Sequence, residues 1–296
     1  MDAPEPVRLP TAALAPYPRF SLYNSPYAAH DAGCAVDLYP GDGRAYSPVS
    51  GEVVGTKTVR APPKPYAPEH DHLVVIACDD DSPGNTAGLL VRCMHVDPDV
   101  TVGDHVAVGD DLGPLVRAGF FAPWVNRHLH VGFRPPDADP YRATGSLRLA
   151  LGVDTRPLDW DGIGTVVETG DTYALLDAPT HPDPGTVYAG IGGVGSGGRR
   201  GVLDGGLRHY DGGGFLGGPD GEVSLLGTTV GVATDRTVAW RDLGVFADGR
   251  PITGLSLFCA RDDGFGAKLI CPETDIAVGE SVTVSLQPVD DPTVLG

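Results

Sequence analysis

The stretch VRCMHVDPDVTVGDHVAVGDDLG, Val91–Gly113, decides how the fold is read. It carries two Val-Gly-Asp triplets, Val102–Asp104 and Val108–Asp110, each beside a short apolar run. Glycine accepts the backbone angles of a tight reversal and aspartate bonds nearby backbone through its side chain. Each triplet therefore reads as a turn between short strands. The pattern repeats outward, as GEVVGT and HLVVIAC upstream and as GTVVET, TYALLDA and SVTVSLQPV downstream. With 42 glycines and 28 prolines punctuating such runs, and helical periodicity nearly absent, the chain reads as all-β with sandwich or barrel layers. The clearest candidate for any helical periodicity is a short turn around Phe120–Asn126.

The 296 residues allow two ordinary domains. The texture changes near residues 145–160, so a first β domain is expected over 1–150 and a second, glycine-rich β domain over 158–296. Within the latter, Gly185–Gly221 reads as a glycine-rich loop or sheet edge. No apolar run approaches the roughly 20 residues of a membrane span. The start, MDAPEPVRLPTAALAPYPRF, lacks a basic segment followed by an apolar one, so a cytoplasmic protein is expected. A net charge of −18 argues against a generic nucleic-acid binder, whose affinity rests on neutralising phosphates. Lysine occurs only at 57, 64 and 268, and a lysine-poor acidic surface resembles that of halophilic proteins. Five cysteines without a CxxC spacing give no thiolate zinc site.

Chemistry concentrates in NRHLHVGFR, Asn126–Arg134. Alternation along a strand turns His128 and His130 to one face and Leu129, Val131 and Phe133 to the other. Upstream lie AAHDAGCAVDLYP, with His30 and Asp37, then SPVSGEVVG, then His95 just before the paired turns. In this order the pieces resemble the lysostaphin-like (LytM-type) zinc metalloendopeptidases, a duplicated hybrid motif family, over roughly residues 20–135. The resemblance implies a zinc metallopeptidase in which His30, Asp37 and His130 hold Zn2+, leaving a fourth position for water. It implies His128 as general base or water-orienting group, and His95 as oxyanion stabiliser or proton shuttle. A peptide or protein would be the substrate.

One interval departs from the family, which spaces its first two ligands as His-x-x-x-Asp. His30 and Asp37 are seven apart, and Gly33 stands four before Asp37. The inserted Asp31-Ala32-Gly33 would form a turn or bulge that re-aims His30, with Asp31 as a substitute ligand. The alternative is a non-catalytic zinc-binding or scaffold protein that retains the peptidase fold. Other features carry less. His70 and His72 in PEHDHLVVIAC read as groove or surface residues. GVGSGG (193–198) lacks the strand-turn-helix context of a dinucleotide site, Cys34 reads as a packed strand residue, and Trp124 as a groove, core or hinge aromatic.

Overall fold

The computed structural model describes residues 5–272 and 274–292. Six strands of the N-terminal half form one antiparallel sheet: β1 Val36–Tyr39, β2 Gly51–Arg60, β3 His70–Cys78, β4 Leu90–Met94, β5 His105–Val106 and β6 Leu129–Arg134. Their order across the sheet is β1-β6-β4-β3-β2-β5. Burial follows the sequence pattern, since Leu129, Val131 and Phe133 of β6 are fully buried beside Val36, Val74, Ile76 and Val91.

The two Val-Gly-Asp triplets form the same turn twice. Asp104 Oδ2 accepts the Thr101 N–H at 2.7 Å, and Asp110 Oδ2 accepts the Ala107 N–H at 2.8 Å. Gly103 and Gly109 take φ of 97° and 88°, a region that side chains disfavour. A parallel pairing of Val7–Pro10 with Leu149–Gly152 joins the two ends of this half.

The chain divides into two compact units. The first runs up to Phe20 and from Ala32 to Val153, and the second takes Ser21–Asp31 together with the chain from Asp154 onward. The second unit is all-β as well. Its strands β7 Tyr188–Val194, β8 Arg200–Leu207, β9 Gly212–Leu216, β10 Gly221–Leu225, β11 Thr228–Thr234 and β12 Thr237–Trp240 pair in a closed ring, β7-β8-β9-β12-β11-β10 and back to β7. Leu203, Phe215, Val223, Val230 and Val238 are fully buried in its core.

One local expectation is corrected. The glycine-rich segment from 185 to 221 is neither a loop nor a sheet edge; it supplies three barrel strands. Its glycines make room, because a Cβ on Gly213 would stand 2.1 Å from the Trp240 ring and one on Gly190 2.4 Å from Val202. Phe120–Asn126 holds tight turns, with the Phe121 N–H on the Ala118 carbonyl and the Val125 N–H on that of Ala122. Pro123 interrupts the segment and has no N–H to extend a helix. Among the described residues, no helix is long and apolar enough to cross a membrane.

Candidate metal centre

Register puts the central pair together. Asp37 on β1 stands directly opposite His130 on β6, and His130 stands opposite Met94 on its other side, one residue before His95. Asp37 Oδ1 lies 3.0 Å from His130 Nδ1 and 3.5 Å from His128 Nε2. Asp37 and His128 are only 2% and 4% exposed. Of the predicted residues, Asp37, His95, His128 and His130 therefore converge within the first unit.

His128 precedes the first residue of β6, and its Nδ1–H donates to the Asn126 carbonyl at 2.9 Å. Phe121 stacks on the ring at 4.3 Å between centroids, and Tyr39 tilts against it at 5.2 Å. Burial, the largest influence, pushes the imidazole down to about 4, against the opposing pull of Asp37. A neutral ring whose Nδ1–H is engaged presents an Nε2 lone pair, here facing a carboxylate oxygen. Two acceptors facing one another in the interior suit a cation or a donor between them.

His95 completes the group, with ring centroids 5.2 Å from His128 and 5.9 Å from His130. It adopts a left-handed backbone, φ 68°, a region that among non-glycine residues favours asparagine, aspartate and histidine. Its Nδ1 lies 2.7 Å from Asp71 Oδ2. The sequence reading missed Asp71, which shares with Leu73 and Val75 the sheet face that carries Asp37 and His130, while His70 and His72 take the other face. That parity was the available signal.

His30 is carried by a different segment. It is buried on the single helical turn Ala28–Asp31, in the segment that groups with the second unit, and its Nδ1 lies 2.8 Å from the Leu22 carbonyl. Helical residues followed by Gly33, at φ 62°, fill the interval to Asp37, so strand alternation does not govern it. Asp31 is exposed, and partial burial raises its carboxyl above the usual range. His72 lines an open groove of about 380 Å³ with His70, Thr58, Asp97 and Val116. Trp124 is buried and Cys34 half-buried. His105 pairs with Asp79 at the surface, while His181 and His209 are buried in the second unit.

The donor set fits zinc. One carboxylate and imidazole nitrogens match its usual ligands, and two ligands of a tetrahedral ion lie about 3.4 Å apart. The 3.0 Å separation of Asp37 and His130 is close to that spacing.

Residues 8–151 match the model described as "Domain of unknown function (DUF8155) N-terminal domain", and residues 156–287 match its C-terminal counterpart. Between them the two models span most of the chain. The protein belongs to the DUF8155 family. Every residue of the candidate centre lies within the DUF8155 N-terminal match. No curated protein and no solved structure matches the chain.

Proposed function

We propose that this protein is a zinc-dependent metalloendopeptidase that hydrolyses peptide bonds in a peptide or protein substrate. One observation carries the reading: a buried carboxylate, Asp37, meets His130 Nδ1 at 3.0 Å, with His128 Nε2 at 3.5 Å. The strands that bear them follow the order of the lysostaphin-like resemblance. In this reading Asp37 and His130 hold the ion, and His30 is the third ligand that the resemblance implies. When bound, zinc supplies a Lewis acid that polarises the scissile carbonyl and brings the pKa of a water to about 7.

The protein's own residues supply the rest. The Asn126 carbonyl fixes His128 Nδ1–H, so Nε2 is the nitrogen that accepts a proton. Phe121 and Tyr39 cover the His128 ring and keep water from its faces. His95, 5.2 Å away between centroids, shuttles the proton or steadies the oxyanion.

Elemental analysis of the purified full chain tests this. About one zinc per chain is expected, with loss of metal in Asp37→Ala, His130→Ala and His30→Ala. His128→Ala should keep the metal and lose about 10²- to 10⁴-fold in cleavage of a quenched-fluorescent peptide library. A wild-type chain without stoichiometric zinc sinks the reading. The second reading, a non-catalytic zinc-binding or scaffold protein, is favoured by the seven-residue interval between His30 and Asp37. Stoichiometric zinc with no cleavage of any library peptide would select it.

A further inference from the structure

Asp71 is a fully buried carboxylate that the proposed chemistry leaves unused. It sits on β3 between two histidines that face the other way. Both its oxygens are engaged: Oδ1 accepts the His72 N–H at 2.8 Å, and Oδ2 meets His95 Nδ1 at 2.7 Å. A carboxylate only accepts, so His95 Nδ1 carries the proton in that bond. The His95 backbone is held at both ends, its N–H on the His72 carbonyl and its carbonyl on the Val116 N–H. The edge of Phe121 packs on the ring at 4.6 Å.

We propose that Asp71 is a positioning residue, fixing His95 in the Nδ1–H tautomer so that Nε2 is the nitrogen offered to the histidine cluster. The purpose of this fixing rests on the metallopeptidase reading; the tautomer itself does not. A neutral imidazole in water favours the opposite tautomer, with the proton on Nε2, so the bond to Asp71 decides which nitrogen works. Of the two roles that the resemblance leaves for His95, this selects the shuttle. A neutral Nε2 accepts a proton and passes it on, whereas donation to an oxyanion needs the doubly protonated ring. Ring geometry, a locked carboxylate and the left-handed backbone at His95 all serve one orientation.

The test is long-range proton–nitrogen correlation NMR on the full chain labelled with ¹⁵N-histidine, at about pH 8, where most histidines are neutral. The His95 signals are assigned by their absence in His95→Gln. Wild type should give the Nδ1–H pattern. Asp71→Asn keeps the shape, but the His72 N–H still claims the side-chain oxygen. The amide NH2 then faces Nδ1, and the His95 signals should switch to the Nε2–H pattern. Asp71→Ala should move them the same way. A merely structural Asp71 would lower the unfolding midpoint without switching the tautomer. An Nε2–H pattern in wild type, or an unchanged pattern in Asp71→Asn, overturns the proposal. Zinc content of the same samples reports on the metallopeptidase reading separately, because a metal-free chain with the expected switch fails that reading and keeps this one.

Discussion

His209 lies fully buried in the second unit, where burial first and the charge of Lys268 second push its imidazole down to about 3. In the unfolded chain a histidine takes its proton near pH 6.5. Between about 6.5 and 3 the unfolded state therefore binds more protons, and stability held above 6.5 drains away as pH falls. His209→Asn removes the titration. Its unfolding midpoint should fall less than wild type's between about pH 7 and pH 5, read by circular dichroism. Asp37 and His130 belong to the same scale. Their side chains meet through a directly opposed register, and in the proposed metallopeptidase reading either alanine substitution should abolish zinc binding while leaving the strands paired.

The paired turns show how an element can be legible while its tolerance is not. Gly109 and Gly113 stand in one stretch, both with positive φ, 88° and 134°. A Cβ on Gly109 meets nothing within 4 Å, whereas one on Gly113 would stand 2.0 Å from the Asp97 carbonyl oxygen. Gly109→Ala should thus cost only about 1 kcal/mol of backbone strain. Gly113→Ala should cost about 3 kcal/mol or more, because backbone must move to admit the methyl. Urea titration of each variant separates the two. Similar losses at both sites would mean that strain alone governs the stretch.

At the scale of the whole molecule, the second unit is not a contiguous piece of chain. Asp204, fully buried, accepts Ser21 Oγ at 2.5 Å and the Leu22 N–H at 2.6 Å, and Asn24 Nδ2 donates to Ser256 Oγ at 2.7 Å. A fragment beginning at Asp154 lacks these donors and leaves Asp204 buried without them. It should unfold at a clearly lower urea concentration than the same unit in the full chain, since each buried partner lost costs about 1–3 kcal/mol. A charge of −18 predicts a second global behaviour. Raising potassium chloride from about 0.1 to 2 M should raise the unfolding midpoint by screening self-repulsion. The sequence by itself determined the all-β class, the turns of Val91–Gly113 and the inward face of β6, because alternation and turn chemistry are local. It also supplied the histidines and Asp37 as chemical types. Only the tertiary structure decided that Asp37 and His130 oppose each other and that Asp71 holds His95. It alone turned the glycine-rich segment into barrel strands and grouped the His30 segment with the second unit. Those outcomes depend on strand register, on the space a missing side chain leaves, and on which distant residue fills it. None of these is written in the spacing of one chain.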